Sequence, residues 1–191
     1  MKTILIVTTV QSTIEAFLIP HIKMLEQKGY IVWLATNISK EIVNELKDNK
    51  WINISFSRNP FSKNSLKAIK NMRKLIKNNN FEFIHFHTPV AAFLGRYAAM
   101  KEGQKNIIYT AHGFHFFKGA SLQNWLIYYP MEKIAINWTD KLITINEEDF
   151  QRAKKMSGKN TKIYKVDGVG LDLESYKNGD TKKIKTELII S

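Results

Sequence analysis

The stretch "TILIVTTVQSTIEAFLIPHIKMLEQKGYIVWLAT", residues 3–36, decides the fold class. Its first six residues, 3–8, are an apolar run without alternation and rich in β-branched side chains, which predicts a strand buried on both faces. A helical period follows, carried by Ile14, Phe17, Leu18, Ile22 and Leu25. Gly29 ends the helix, and residues 30–36 form a second strand. The stretch therefore predicts a βαβ unit, with Pro20 kinking its helix.

The same alternation of strands and helices continues along the chain. Further strands are predicted at residues 52–57, 81–87, 106–111, 141–145 and 161–166. Further helices are predicted at residues 39–48, 65–78, 91–102, 122–138 and from an N-cap at Asn146. Regular alternation predicts an α/β fold, a Rossmann-like, doubly wound and mostly parallel sheet with helices on both faces.

Composition narrows the class of protein further. The chain has 191 residues, of which 44% are hydrophobic and 24% charged, as expected for one globular domain. It has no cysteine, which excludes disulfides and thiolate metal sites. No apolar run approaches the roughly 18 residues of a membrane span, and the N-terminus shows no export signal, so we expect a cytoplasmic protein. The net charge of +12 favours an anionic partner.

Ligands of open parallel sheets bind at the carboxyl ends of the strands, which makes three loops candidates. The first loop, 9–13, offers the hydroxyls and amide of Thr9, Gln11 and Ser12 as donor-binding groups. It contains no glycine, so it is not a dinucleotide fingerprint, and an ordinary strand-to-helix connection is the alternative interpretation.

The other two loops carry histidines. His85 and His87 share one face of a predicted strand, a pattern that fits either a metal-binding pair or hydrogen-bonded structural residues. Thr110, His112 and Gly113 follow the next strand, where a histidine can hydrogen-bond a sugar or phosphate or transfer a proton. His112 is the leading candidate, because it follows a strand at the edge where ligands bind.

Aromatic and basic segments have a structural and a functional interpretation. The aromatic side chains that follow His112 include Phe114, Phe116, Phe117 and Trp125. They fit core packing, an apolar ligand tail or a membrane interface. The predicted helix 65–78 is basic and amphipathic, as in a solvated surface helix or a helix that lies on anionic lipid.

With these motifs in order, the chain resembles the N-terminal domain of GT-B glycosyltransferases of family four, which include bacterial capsular and exopolysaccharide enzymes. The resemblance rests on "FEFIHFHTPVAAFLGRYAA" (81–99), "YTAHGFHFF" (109–117), "DKLITINEEDFQRAKK" (140–155) and "VDGVGLDLESY" (166–176), together with residues 16–36. It covers nearly all of residues 1–172, which we assign to this domain. Residues 173–191 are assigned to a hinge and the start of a donor domain.

The resemblance implies site roles and substrates. It places His112 and Gly113 beside the donor sugar, and His87 and Thr88 at the cleft floor. It places His115 and the aromatic residues on the acceptor side. It makes Gly168, Gly170 and Asp172 hinge positions. It further implies retention of anomeric configuration, no cofactor and no metal, a nucleotide-sugar donor, expected to be UDP-linked, and an acceptor that carries a lipid. The first loop departs from the family because it lacks glycine, which leaves its binding of donor phosphates open.

Three functions stand as hypotheses. The first is the acceptor-binding domain of a retaining glycosyltransferase at the inner face of the membrane. The second is a metal-dependent hydrolase that uses four histidines, His85, His87, His112 and His115. The third is a non-catalytic module that binds a membrane surface or a partner. Nucleic acid is not an expected partner, because no known reader motif is present.

Overall fold

The computed structural model describes residues 1–57, 60, 62–158 and 160–168. The strands are β1 (Lys2–Val10), β2 (Tyr30–Asn37), β3 (Lys50–Asn53), β4 (Ile84–His87), β5 (Ile107–Ala111), β6 (Lys141–Thr144) and β7 (Lys162–Lys165). The helices are α1 (Gln11–Thr13), α2 (Ile19–Gln27), α3 (Lys63–Lys77), α4 (Pro89–Lys101), α5 (Leu122–Ala135) and α6 (Glu147–Met156). A π-helical turn (Ile14–Leu18) joins α1 to α2, and 3₁₀ turns lie at Asn44–Leu46 and Ile136–Trp138.

The strands form one parallel sheet of seven strands in the order β3-β2-β1-β4-β5-β6-β7. The predicted Rossmann-like sheet is thereby confirmed. Chain connections run in opposite directions from β1 and from β4, so the strand order reverses between these neighbours. Such a switch point opens a crevice at the carboxyl ends of the two strands.

The central strand β1 is buried on both faces, as its unbroken apolar run predicts. Leu5 and Val7 belong to the larger core, which also takes in α3, α4 and α6, whereas Ile4 and Ile6 pack with α2. Alternate side chains of β1 thus pack against helices on opposite faces of the sheet.

Two predicted elements differ from the structure. The helix expected at 39–48 is only a 3₁₀ turn, Asn44–Leu46. The buried Gln11 side chain donates to the carbonyl of Glu41, an acceptor that such a helix would use for its own ladder, and it accepts the N–H groups of Ser39 and Lys40. The strand expected at 52–57 begins and ends earlier, as β3.

The irregularity expected at Pro20 takes the form of the π-helical turn that directly precedes α2. Pro20 lies in the first turn of α2, where a missing N–H is tolerated. The N-cap expected at Asn146 is confirmed, since its side chain accepts the N–H of Asp149.

A close contact between α4 and β4 depends on Gly95. A Cβ atom at this position would lie 2.1 Å from Cε1 of the fully buried Phe86. The glycine therefore sets the distance between α4 and the strand that carries His85 and His87.

We expect Gly95→Ala to destabilise the protein by about 1–3 kcal/mol, because the clash outweighs the roughly 1 kcal/mol that alanine contributes within a helix. Urea unfolding followed by tryptophan fluorescence measures this. Gly158→Ala, whose added Cβ would meet its nearest atom at 3.4 Å, is the control and is expected to be near neutral. A stabilised Gly95→Ala variant would contradict the packing argument.

A buried ion pair joins α4 to α5. Arg96 is fully buried, and its guanidinium donates to both carboxylate oxygens of Glu132 at 2.9 Å. It also donates to the hydroxyl of Thr139 and the carbonyl of Ala92, and lies 4.2 Å from the ring centroid of Tyr109. Every nitrogen of the group is therefore engaged, which is the condition for keeping a charge inside a core.

Removing one member of this pair leaves an unpaired buried charge, so we expect Arg96→Met or Glu132→Leu to cost about 3–5 kcal/mol each. The double variant should cost much less than the sum of the two. Denaturant unfolding of all four proteins gives the coupling energy. Arg73→Met is the control, because the half-exposed Arg73 pairs with Glu102 at the surface and is worth about 0–1 kcal/mol. Additive single costs would refute the coupling.

Candidate active site

Two threonines join the strands on either side of the switch point. Thr9 lies near the end of β1, and Thr88 directly follows β4. Their hydroxyls lie 2.7 Å apart, and the N–H of Thr9 donates to the Thr88 hydroxyl. Thr88 has a φ of 63°, an unfavourable conformation for a β-branched residue. Such strain persists where the surrounding structure holds it, and it is concentrated at functional sites.

Three histidines line the carboxyl edge beside this junction. His85 and His87 point to the same side of β4, with ring centroids 4.1 Å apart. Nε2 of His85 lies 2.8 Å from the Thr110 hydroxyl, and Nδ1 of His87 lies 2.9 Å from Nε2 of His112. His85 and His87 are buried, whereas His112 is partly exposed. The set therefore leaves one histidine partly accessible and holds two behind it.

Burial keeps this cluster neutral. It lowers the pKa of His85 to about 3, with smaller contributions from the charges of His21 and His112. Burial, followed by the charges of His85 and His112, lowers the pKa of His87 well below its ordinary value. For His112, burial and then the charge of His21 lower the pKa. At neutral pH the three rings therefore act as neutral hydrogen-bonding groups.

The loop after β5 opens at Gly113. Its φ is 131°, and an added Cβ would meet nothing within 4 Å, so the backbone here borders open space. This is the environment that the sequence predicts for a backbone that a ligand approaches closely.

Side chains of α6 fix the rest of this loop. The N–H of Phe114 donates to the buried carboxylate of Asp149 at 3.0 Å, and the N–H of Lys118 donates to Glu148. Arg152 donates to the carbonyl of Phe116, and its guanidinium lies 4.8 Å from the ring centroid of Trp125. The position of the loop is therefore set by the first two turns of a neighbouring helix.

The predicted acceptor-side aromatics separate into two groups. Phe114 and Phe116 are 4% and 0% exposed and stack on each other in the core, and their role on the acceptor side stays a prediction. They shape the wall from behind. Phe117 is 46% exposed, and Trp125 is partly buried against Arg152. His115 is exposed, with its ring against Tyr128.

The remaining predicted site residues lie in different environments. Ser12 is exposed beside the switch point, whereas the Gln11 amide is saturated by Glu15, Ser39, Lys40 and Glu41. Gly168 has a φ of 78° and donates to the carbonyl of Ile145. Gly170, Asp172 and the boundary at 172/173 lie outside the described residues. The roles of these residues as donor-binding and hinge positions stay predictions.

Sequence reasoning missed three contributors to the site. His21 of α2 is exposed and lowers the pKa of the cluster through its charge, and Asp149 and Arg152 hold the loop. The sequence predicted the start of α6 only as a helix capped by Asn146. Nothing in a single sequence relates residues of α2 or α6 to a loop so distant along the chain.

Among the described residues, no three His, Cys, Asp or Glu side chains are grouped as metal ligands. Within the same residues, no helix has the length and apolar character needed to cross a bilayer.

The glycosyltransferase class that the resemblance implies is shown by the family to which the sequence belongs. The sequence matches the Glycosyl transferase 4-like family over residues 4–146, and the chain belongs to this family. It is 39% identical over 179 residues to EpsD of Bacillus subtilis (strain 168), which is named as a glycosyltransferase. That match covers 92% of this chain and 46% of EpsD.

A second relative is the UDP-Gal:alpha-D-GlcNAc-diphosphoundecaprenol alpha-1,3-galactosyltransferase of Escherichia coli. It is 29% identical over 122 residues, covering 62% of this chain and 32% of that enzyme. The chain thus spans less than half the length of each of these two relatives.

Solved structures support the fold. The UDP complex of MnaA from S. aureus superposes with a TM-score of 0.69 at 14% identity, covering 95% of this chain and 48% of that one. HepE from Anabaena, in complex with UDP and glucose, gives a TM-score of 0.66 at 14% identity, with coverages of 98% and 50%. At this identity the likeness concerns the fold alone.

The buried histidines predict a pH dependence of stability. The unfolded chain protonates His85 near pH 6.5, whereas the folded protein does so only near 3. Between these values the unfolded state binds more protons, so stability falls as the pH falls. We expect His85→Gln to reduce the slope between pH 6 and 4 by up to about 1.4 kcal/mol per pH unit, while His87 keeps its own contribution.

Urea unfolding at several pH values measures this slope. Thr36→Val is the matched control, because it removes a buried hydrogen bond to Thr8 without removing a titrating group and should leave the slope unchanged. An unchanged slope in His85→Gln would show that this histidine does not resist protonation in the folded protein.

Proposed function

We propose that this chain is the acceptor-binding domain of a retaining glycosyltransferase. The enzyme transfers a sugar from a nucleotide-sugar, UDP-linked in our proposal, to a polyprenyl-diphosphate-linked saccharide in surface polysaccharide biosynthesis. The observation that carries the proposal is the partly exposed His112 with the open Gly113 backbone at the carboxyl edge, in a chain of the glycosyl transferase 4-like family.

The neutral state of His112 suits this chemistry. In the transfer, the bond from the anomeric carbon to the donor phosphate breaks, the acceptor oxygen bonds to that carbon, and the hydroxyl proton leaves with the phosphate. Positive charge develops on the sugar ring in the transition state. A protonated histidine beside it would be repulsive, whereas burial, by lowering the pKa of His112, keeps the ring neutral.

The substrate classes are supported by the relatives. The Escherichia coli enzyme is named for a UDP-sugar donor and an acceptor carried on diphosphoundecaprenol. EpsD is named as a glycosyltransferase, and its similarity to this chain covers 92% of this chain. That the enzyme containing this chain uses the same two substrate classes is part of the proposal.

A lipid-borne acceptor places the enzyme at the inner face of the membrane as a peripheral protein, and α5 supports this placement. Its solvent-facing side is apolar at four-residue intervals: Leu122 is 74% exposed, Leu126 67% and Ile134 51%. Phe117 is also exposed. An apolar face of this kind inserts into the boundary between headgroups and acyl chains. We name these four residues the α5 apolar face.

Basic side chains lie on the same side of the sheet. Helices α3 and α5 both pack against α4. The exposed lysines of α3 are Lys63, Lys67, Lys70, Lys74 and Lys77. Attraction to anionic lipid is worth about 1 kcal/mol for each basic residue near the surface. Helix α3 thus supplies the charge complementarity, and the α5 apolar face supplies the insertion.

Co-sedimentation with anionic liposomes tests the proposal. We expect the chain to bind, to bind more when the liposomes contain a polyprenyl-diphosphate-linked saccharide, and to bind less at high salt. The double variant Leu122→Ser/Leu126→Ser should lose most of the binding, since both side chains are exposed and contribute little to folding.

Val166→Ser, which alters another exposed aliphatic side chain, is the control and should bind as the parent does. Binding that does not increase when the liposomes contain the lipid-linked saccharide would contradict the acceptor-binding role. Equal binding by the double variant would contradict the membrane placement.

A further inference from the structure

The hydrogen bond between His87 and His112 places a buried imidazole directly behind an accessible one. Nδ1 of His87 lies 2.9 Å from Nε2 of His112, and the rings are inclined by 30°. His87 is 3% exposed, so a ligand reaches His112 and not His87. The Nδ1 atom of His112 makes no hydrogen bond to the described residues and is the nitrogen available to a ligand.

A short contact between two ring nitrogens requires one proton between them. Burial lowers the pKa of both residues, so both rings are neutral and each carries a single N–H. One ring must donate and the other accept. This choice decides whether Nδ1 of His112, the nitrogen opposite the hydrogen bond, carries a proton, and so whether the atom that faces the ligand donates or accepts.

The two arrangements are not equivalent. A neutral histidine side chain in water carries its proton preferentially on Nε2. If His112 donates from Nε2 to Nδ1 of His87, both rings keep this preferred form. His85 also keeps it, because its Nε2 can then donate to the Thr110 hydroxyl 2.8 Å away. The reverse arrangement requires both His87 and His112 to carry their protons on Nδ1.

We propose that His87 is a positioning residue that accepts a hydrogen bond from Nε2 of His112 and so leaves Nδ1 of His112 as an acceptor for a sugar hydroxyl. A hydroxyl group donates to such a nitrogen, whereas a phosphate oxygen without a proton is repelled by its lone pair. His112 therefore selects the sugar part of a nucleotide-sugar. This assignment of the ligand rests on the proposed function, but the protonation pattern belongs to the ligand-free chain.

Nitrogen-15 NMR of the histidine side chains tests the arrangement without any assay of activity. The chain has five histidines, and loss of a signal in His112→Asn assigns that residue. We expect His112 to show a protonated Nε2 and an unprotonated Nδ1. In His87→Leu the two shifts should move towards the averaged values of a free imidazole, because the acceptor is gone.

His87→Asn should restore the parent pattern, since its amide oxygen can accept from Nε2 of His112. His85→Gln is the matched control: it alters an equally buried histidine that bonds Thr110 and should leave the His112 pattern unchanged. A parent protein with the proton on Nδ1 of His112, or a His87→Leu variant with the parent pattern, would overturn the proposal. The parent spectrum decides the question even if a variant fails to fold.

The ligand is tested separately with UDP-glucose as the probe and UDP alone as its control. We expect UDP-glucose, and not UDP, to shift the Nδ1 signal of His112. An equal shift with UDP would overturn the assignment to a hydroxyl. No shift with either would contradict the placement of the donor sugar in the proposed function, whereas the positioning role would stand on the ligand-free spectrum.

Discussion

The buried pair of Arg96 and Glu132 is the interaction on which the outer part of the domain depends. Arg96 lies in α4, which packs on the centre of the sheet, and Glu132 lies in α5, which packs against α4. Removing either charge destabilises the fold, because a single buried charge without its partner is costly in free energy. The α5 apolar face therefore owes its position to a polar interaction, together with the packing of Met131 and Ala135.

The histidine-lined edge relies on the opposite electrostatic condition. There, burial without a compensating carboxylate hydrogen bond keeps His85, His87 and His112 neutral. In the proposed transfer, the positive charge that develops on the sugar meets the uncharged rings of the same residues that lower stability in acid. Thr9 and Thr88 hold the adjoining strands together through their hydroxyls. A strained backbone and a neutral cluster lie side by side at the point where the strand order reverses.

Much of the fold was predictable because its signals are local. The apolar run of β1, the helical period after it and the capping of α6 by Asn146 depend on neighbouring residues. Predictions failed where distant groups intervene. Gln11 donates to the carbonyl of Glu41, and the helix expected there is only a 3₁₀ turn. The candidate site followed the same rule: His112 and Gly113 were proposed from their place after a strand, whereas the contacts of Asp149 and Arg152 with this loop were not predicted.

The sequence by itself determined the class of fold, the family, and the loops in which a site lies, because periodicity and motif order are properties of the chain. Only the tertiary structure decided which side chains of the candidate site are exposed. Phe114 and Phe117 look alike in sequence, yet one is in the core and the other is exposed. His87 and His112 are joined only because the register of β4 and β5 places His87 beside Thr110, two residues before His112. Register and packing arise from contacts across the sheet, which no local pattern encodes.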